Sequence, residues 1–317
     1  MNYLKKNNFF HGVMFHHFHD NKTHQKGQGS INKDELVKLI NFVGRKNIVN
    51  AEEFMEKYKK KKLKNNHICF TFDDGLKCQY DIALPVLEDF GIKSFFFINT
   101  CNYTNKPLML EVYRSFRHKC YIDIDDFYDE FFFSIKNYDL KKIFKSREKF
   151  IKFEKKRYPF YSLNDIKFRI LRDFYLKNKK YNQIMLQLIK KKKFNFKKEL
   201  KNIYMSEKDI KRLAKLKHHV GLHSHTHPYV ISDLSKKKQI YEYSKNNKIL
   251  EKLTGKKIKS MAHPCNSYSG PIIRYLKELK IDIGFLSNTT KSNKTKKINN
   301  SQFEIVREDH SKIIDKI

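Results

Sequence analysis

Two adjacent carboxylates, Asp73 and Asp74, follow an apolar, β-rich stretch and precede Gly75, a residue that lets the chain turn sharply. Neighbouring carboxylates repel each other unless a cation or a proton relieves their charge. Because successive side chains of a strand point in opposite directions, one aspartate can hold a metal ion while the other faces a substrate or water. Aspartate is also common at turns, so this pair alone does not distinguish a site from a turn motif.

A second cluster shifts the interpretation towards a metal site. His223, His225 and His227 alternate at the end of another apolar run, directly before Pro228. Neutral imidazoles suit Zn²⁺, and two histidines with one carboxylate and an open position form a catalytic arrangement. Three histidines within five residues are hard to explain by core packing, and a solvated polar turn is the competing interpretation. The histidines at 218–219 are expected at the surface.

The elements that must position these clusters alternate between strands and helices. Apolar or β-rich runs predict strands within 12–18, 67–72, 94–100, 219–227, 259–264, 281–287 and 303–308. The helices between them are predicted after the N-caps Asn32 and Ser206, over 51–62, over 77–90, over 235–253 and from Pro271. This alternation predicts a parallel sheet with helical crossovers, in which catalytic groups gather at the carboxyl ends of the strands.

The alternation stops over residues 101–205, where apolar residues recur at helical spacing and turn signals are few. The stripes are Phe127, Phe131 and Ile135, then Ile166, Ile170 and Phe174, then Ile184 and Leu188. Such stripes are more typical of a packed core than of a ligand site. We therefore predict a large helical insertion at 101–205 within a single domain that spans residues 1–317.

The sequence TFDDG at 71–75, followed by HSHTH at 223–227, resembles the polysaccharide deacetylase family, the NodB-homology domains of carbohydrate esterase family 4. The resemblance implies an α/β fold, a distorted and incomplete (β/α) barrel. It also implies an enzyme, a metal-dependent hydrolase that removes the N-acetyl group from an amino sugar of a cell-surface polysaccharide or its precursor.

The motifs of that family imply a role for each matching residue. Asp73 would be the catalytic base, and Asp74, His223 and His227 would hold a divalent metal, with Zn²⁺ as the first candidate and Co²⁺, Ni²⁺ or Mn²⁺ as alternatives. His225 would be an internal variable position of the second motif.

Other family motifs are altered here. The third motif, R-x-P-Y in many members, corresponds to Ala262-His263-Pro264-Cys265-Asn266, so the arginine that would orient the catalytic base is absent. A carboxyl-terminal L-x-H motif, which would carry the acid histidine, is not evident. We predict that Arg307 or His310 supplies the missing assistance, with His310 as the general acid and His263 as the second choice.

Three further residues are predicted to contact the substrate. GVMFHH at 12–17 resembles the first strand of a subgroup of the family, which implies that His16 lies near the rim of the pocket or just behind it. His263 and Asn266 in the altered third motif complete the predicted substrate-binding set.

The amino-acid composition gives weaker evidence about binding partners than the motifs do about the site. The chain has 317 residues and a formal net charge of +33, but its lysine excess accompanies many Asn, Ile, Phe and Tyr residues, as AT-rich codons favour. We therefore expect no nucleic-acid partner, and a substrate that is nucleotide- or lipid-linked would match the charge. No apolar run approaches the ~18–20 residues of a membrane span, so any membrane contact would be peripheral.

The cysteines and the amino-terminal residues bear on the cellular compartment of the protein. Five cysteines without a C-x-x-C pair, and no apparent secretory signal, predict a cytoplasmic protein.

Two other functions remain open: a basic protein whose site has decayed and which binds anionic glycan or nucleic acid, and a metallohydrolase of another amide or ester.

Overall fold

A computed structural model describes residues 11–20, 22–27, 29–104, 107–157, 161–287 and 301–317. The chain divides into two compact units. The barrel unit comprises residues 1–24, 30–108 and 201–317, and the helical unit comprises 25–29 and 109–200. Apart from residues 25–29, the helical unit lies within the segment predicted as an insertion.

Seven parallel strands close into a barrel in chain order, which confirms the predicted (β/α) barrel. The strands are β1 (Gly12–Phe15), β2 (Cys69–Asp73), β3 (Phe95–Ile98), β4 (His219–Leu222), β5 (Ser260–Ala262), β6 (Ile283–Ser287) and β7 (Ile305–Asp309). The barrel closes because β1 pairs with both β2 and β7. The pairing between β4 and β5 is the weakest, with only Leu222 opposite Met261.

Fourteen α-helices accompany these strands in the described part of the chain. The first three are α1 (Lys33–Val43), α2 (Ala51–Lys59) and α3 (Leu84–Asp89). The next seven are α4 (Met109–Cys120), α5 (Ile124–Phe133), α6 (Leu140–Ser146), α7 (Glu148–Arg157), α8 (Leu163–Ile170), α9 (Lys177–Lys191) and α10 (Phe196–Ile203). The last four are α11 (Glu207–Lys215), α12 (Lys236–Thr254), α13 (Gly270–Glu278) and α14 (Ser311–Ile314).

Local sequence signals account for several helix ends. Asn32 and Ser206 form the predicted capping boxes, each exchanging side-chain and backbone hydrogen bonds with the acidic residue three positions later. The predicted helix over 77–90 instead contains a π-helical turn, Gln79–Ala83, before α3. This turn starts directly behind the loop that carries the two aspartates, where π-helical turns often accompany functional sites.

The two faces of each barrel strand have different partners. On β2, Cys69 joins an interior core with Phe95, Phe97 and Phe285, whereas Phe72 lies on the outer face and stacks on Phe96. Alternation along the strand then places Asp73 on the same inner side as Cys69. The last side chain of β2 therefore faces the carboxyl end of the barrel interior.

The helical unit has its own aromatic core, in which Phe127, Phe131 and Phe168 pack together. The predicted stripes are buried, as expected of core positions, with one exception. Phe174 is 51% exposed because residues Leu171–Tyr175 form a π-helical turn, which rotates this side chain out of the helical stripe.

Candidate active site

A buried ion pair holds the carboxylate of Asp73 at the end of β2. Nη1 and Nη2 of Arg307 donate to Oδ1 and Oδ2 of Asp73 at 2.7 and 2.8 Å. Nη1 also donates to Oγ1 of Thr71 at 3.0 Å, and that hydroxyl donates to the carbonyl of Val13. The two-pronged pairing fixes the plane of the carboxylate as well as its position.

The arginine fits because β1 provides space for its stem. A Cβ atom at Gly12 would lie 2.7 Å from Cγ of Arg307, closer than side chains tolerate. Burial alone would raise the pKa of Asp73, but the charge of Arg307 more than compensates and holds that pKa well below its ordinary value. The ion pair therefore orients the carboxylate of Asp73 and favours its ionised form.

Next to it, Asp74 and two histidines converge. Oδ1 of Asp74 lies 3.5 Å from Nε2 of His223 and 3.4 Å from Nε2 of His227. The three ligand atoms lie within 4.8 Å of one another, so together they could hold a metal ion. Donors about 2.1 Å from a tetrahedral ion are about 3.4 Å apart, so this set fits a small divalent cation.

A hydrogen bond fixes the orientation of the His223 ring towards Asp74. Its Nδ1 donates to the carbonyl of Ala262 at 3.0 Å, which leaves the lone pair of Nε2 directed at Asp74. Burial lowers the pKa of His223 to about 3, so the ring stays neutral as a metal ligand requires.

The histidine motif is a loop, whereas the sequence predicted a strand through residue 227. β4 ends at Leu222, and Ser224 and His227 have φ angles of 60° and 50°. Oγ of Ser224 accepts from the amide of His227 at 3.1 Å and stabilises this turn. In an extended strand His223, His225 and His227 would share one face; the loop separates His225 from the other two.

His225 instead connects the loop to the end of β3. Its Nδ1 lies 2.9 Å from Oγ1 of Thr100, and its carbonyl accepts from the amides of Thr100 and Cys101. The variable position implied by the family motif is therefore a buried anchor in this chain, 5% exposed.

Two residues of α12 hold the same loop from the outside. Oδ1 of Asn246 accepts from the amide of His223 at 2.9 Å, and its Nδ2 donates to the carbonyl of Ile98. The carboxylate of Glu242 accepts from both the amide and the hydroxyl of Thr226. Loop backbone with positive φ is costly for these residues, so such anchors are needed to maintain it.

Asn246 is not among the residues predicted for the site, although its sequence context carries a signal. Tyr243, Asn246, Leu250 and Leu253 follow one another at helical spacing and are all buried. A polar residue within an apolar stripe requires a hydrogen-bonding partner, which the loop provides.

His16 lies on the open side of Asp73. Its Nε2 is 3.9 Å from Oδ2 of Asp73, and its side chain is 30% exposed. Nε2 of Gln79, from the π-helical turn, donates to the carbonyls of His16 and Asp73 at 2.9 and 2.6 Å. This single amide therefore fixes the ends of β1 and β2 together.

His310 does not lie with Asp73, contrary to the prediction. Its ring stacks on Phe15, whose own ring stacks on Phe72, and it is only 3% exposed. Phe15 and Phe72 lie on the outer face of the barrel strands, opposite to Asp73. The strand alternation that directs Arg307 inwards directs His310 outwards.

The other two residues predicted to contact the substrate, His263 and Asn266, instead form hydrogen bonds with the backbone. His263 is 2% exposed, packs its ring against that of Tyr268 at an angle of 30°, and has its Nε2 3.0 Å from the carbonyl of Phe303. The side-chain amide of Asn266 pairs with both backbone groups of Ser287, at 2.6 and 2.7 Å. These bonds brace the loop after β5, and we assign neither residue a substrate contact.

The expectation that His218 lies at the surface is wrong. The residue is 3% exposed, its Nδ1 accepts from the amide of Ser94 at 3.0 Å, and its Nε2 donates to Glu88. Burial lowers the pKa of His218 to about 4, although Glu88 acts in the opposite direction.

The polysaccharide deacetylase family matches residues 60–119 and 179–284, more than half of the chain. This chain belongs to the polysaccharide deacetylase family. It is accordingly a hydrolase of carbon–nitrogen bonds, a deacetylase. No curated protein matches its sequence.

Solved structures agree with the fold. A Streptococcus pyogenes deacetylase, PplD, determined with acetate, is 12% identical with a TM-score of 0.54, covering 95% of this chain and 92% of that one. A de-N-acetylase from Aggregatibacter actinomycetemcomitans is 12% identical with a TM-score of 0.53, covering 95% and 94%. The BpsB deacetylase domain from Bordetella bronchiseptica is 12% identical with a TM-score of 0.51, covering 94% of each.

Proposed function

We propose that this deacetylase is metal-dependent and removes the N-acetyl group from an amino sugar of a cell-surface polysaccharide or its precursor. The convergence of Asp74, His223 and His227 beside the ionised Asp73 is the observation that supports this most directly. We propose Zn²⁺ as the native ion, because two imidazoles and one carboxylate are ligands it favours.

An ion bound by these three side chains would polarise the amide carbonyl and lower the pKa of the attacking water. Asp73 then accepts the proton that the water loses as it attacks. Arg307 keeps Asp73 ionised and oriented, and it replaces the arginine missing from the third motif. Because this pairing also lowers its basicity, Asp73 contributes chiefly by being held at the right place.

The leaving amine needs a proton, and we propose His16 in place of His310 as its donor. His16 is beside Asp73 and partly open to solvent, whereas His310 is buried on the opposite face. His16→Gln should lower kcat about 10²-fold with unchanged metal content, and His17→Gln is the neighbouring control. Equal rates in the two variants would contradict this assignment.

Metal content and acetate release test the proposed function together. We expect Asp74→Ala and His223→Ala to lose both bound metal and turnover, while His219→Ala, at the start of the strand that precedes His223, keeps both. The substrates should include N-acetylglucosamine oligomers, sugar nucleotides, lipid-linked sugars, and simple amides and esters. Full metal content in both alanine variants, or turnover of the non-sugar substrates alone, would refute it.

We also propose a cytoplasmic location and a substrate linked to a nucleotide or a lipid phosphate. None of the five cysteines, all within the described residues, forms a disulfide, as in a reducing compartment, and the net charge of +33 suits an anionic substrate. None of the helices in the described residues combines the length and apolar character needed to cross a bilayer. Cell fractionation tests the location: recovery outside the cytoplasmic membrane would contradict it.

A further inference from the structure

Exposed aromatic side chains are a feature of the helical unit. The phenylalanines that are well exposed among the described residues all belong to it: Phe133 is 70% exposed, Phe153 52% and Phe174 51%. Phe153 lies on α7, and Phe174 lies in the π-helical turn that follows α8. Leaving an aromatic ring in water has a free-energy cost, so a group of exposed rings is typical of a binding surface.

The ring of Phe150 connects α7 to the π-helical turn. It meets the ring of Phe174 edge-on, with centroids 5.6 Å apart. Phe153 follows Phe150 by three residues on α7, so these two side chains are neighbours on one face of that helix. In the part of the chain that the structure describes, none of the three belongs to the aromatic core of the helical unit or packs against it. They therefore form one apolar group outside that core.

Basic side chains border this group. Lys149 and Lys156 are both exposed and lie four residues before and three residues after Phe153, which places them beside it on α7. The guanidinium of Arg147 lies over the ring of Phe174, 4.8 Å from its centroid. We define the Phe–Lys patch as Phe150, Phe153, Phe174, Lys149 and Lys156.

The third exposed phenylalanine, Phe133, has neighbours of the opposite charge. It is the last residue of α5, on which Asp125, Asp126 and Asp129 are exposed. Asp129 precedes Phe133 by four residues and so lies beside it on the helix. Phe133 is therefore next to negative charge, whereas the exposed rings of the Phe–Lys patch are next to positive charge.

This combination of phenyl rings and lysines favours an anionic membrane surface. A phenyl ring has no hydrogen-bonding group, so it gains most by leaving water for the acyl chains of a bilayer. Lysines beside it are attracted to the phosphates of acidic lipids, while their stems can stay in apolar surroundings. Nucleic-acid bases would need open ring faces for stacking, and Arg147 lies over the ring of Phe174.

We propose that the Phe–Lys patch binds the surface of a membrane that contains acidic phospholipids, with Phe153 and Phe174 entering the boundary between head groups and acyl chains. The helix α7 then acts as a short basic amphipathic helix at that surface. This inference does not depend on the proposed reaction. An enzyme held at such a surface would also meet substrates that are linked to a lipid phosphate.

The first test measures the insertion of one side chain. The sequence contains no tryptophan, so a single introduced tryptophan reports only its own surroundings. In Phe153→Trp, phosphatidylglycerol vesicles should shift the emission to shorter wavelength, and lipids brominated on their acyl chains should quench it. Phe133→Trp is the matched control at another exposed phenylalanine of the helical unit and should show neither change. Unquenched emission from Phe153→Trp would overturn the proposal.

The second test measures affinity by flotation of the full-length protein with vesicles. Phosphatidylcholine vesicles with about one third phosphatidylglycerol should bind it at least about tenfold more tightly than pure phosphatidylcholine vesicles. Phe153→Ser with Phe174→Ser should weaken this binding about tenfold. Lys149→Gln with Lys156→Gln should weaken it to a similar extent, about tenfold, and high salt should weaken it as well.

Matched variants separate the patch from net charge and from a loss of structure. Lys236→Gln with Lys237→Gln removes the same charge from exposed positions on α12, and we expect at most about a twofold effect. A loss equal to that of the patch lysines would show that net charge drives the binding and would overturn the proposal. Unchanged circular dichroism and metal content would show that the variants are folded.

Three further results would overturn the proposal: equal affinity for the two kinds of vesicle, unchanged affinity in the serine variant, or phenylalanine-dependent binding of a single-stranded oligonucleotide without binding of vesicles. The last result would assign the Phe–Lys patch to nucleic acid. Patch-dependent vesicle binding without acetate release from any substrate would refute the proposed reaction and leave the membrane surface standing.

Discussion

The barrel unit and the helical unit each bury an aspartate against an arginine. In the barrel unit Arg307 donates to both oxygens of Asp73, at 2.7 and 2.8 Å. In the helical unit Asp165 accepts from Nε of Arg169 at 2.5 Å and from the hydroxyl of Tyr128 at 2.6 Å. Both carboxyls have pKa values below the ordinary range, because nearby arginine charge outweighs burial.

The two ion pairs differ in what lies next to the aspartate. Asp165 lies on α8, pairs with an arginine one turn along the same helix, and has its own amide capped by Ser162. Asp73 ends a parallel strand, where the next residue converges with two imidazoles. A buried ion pair is therefore not evidence of a site by itself; its position at the carboxyl end of a barrel strand is what allows chemistry.

Removing the charge from each aspartate should have the largest and most different effects in the two units. Asp73→Asn should lower acetate release about 10³-fold, because the proton acceptor is lost, without loss of bound metal. Asp165→Asn should leave kcat within about twofold but lower the free energy of unfolding by about 3 kcal/mol, since Arg169 loses its partner. Turnover and denaturant unfolding of both variants measure this, and similar losses of activity would invalidate the distinction.

The arginines provide a second, smaller contrast. Arg307→Lys keeps the charge but cannot donate from two prongs, so the carboxylate of Asp73 can rotate. We expect kcat to fall about 10²-fold at unchanged metal stoichiometry. Arg169→Lys is the control in the helical unit and should retain wild-type kcat. A fully active Arg307→Lys enzyme would show that orientation of Asp73 is unimportant.

Uncharged hydrogen-bonding partners should also have different effects in the two units. Asn246→Ala removes the acceptor for the amide of His223, so the loop relaxes and we expect metal affinity to weaken about tenfold. Tyr128→Phe removes a bond to Asp165 and should cost about 1–2 kcal/mol of stability with metal affinity unchanged. Competition with a chelator measures the metal affinity of each variant. Equal metal affinity in both would argue against the role of α12 in holding the loop that carries His223.

The smallest expected effect concerns acid stability. Only the unfolded state binds a proton at His218 between its ordinary pKa near 6.5 and its folded pKa of about 4. The stability contributed by the neutral buried ring is therefore complete above pH 6.5 and declines as the pH falls towards 4. His218→Gln should flatten this decline in melting temperature over that pH range. Parallel curves for variant and wild type would exclude the contribution.

Part of the site could be predicted because its signals are local. Capping boxes at Asn32 and Ser206 follow from residues three positions apart, and strand ends follow from apolar runs. The course of the histidine loop did not follow, because Ser224 and His227 adopt left-handed backbone conformations, and the loop that contains them is held by contacts with distant elements such as Asn246 and Thr100. His218 and His310 were misplaced for the same reason, since their burial depends on Glu88 and Phe15 of other elements.

Short motifs and apolar periodicity are properties of neighbouring residues, so they were enough to predict the family, the parallel barrel and the residues Asp73, Asp74, His223 and His227. Which arginine and which histidine stand beside Asp73 depends on contacts between strands that are distant in the sequence. Barrel closure brings β7 and β1 next to β2, so Arg307 and His16 reach the same carboxylate from opposite ends of the chain. The arginine lost from one strand could thus be supplied by another, because a closed barrel directs the inward side chains of all its strands to one mouth.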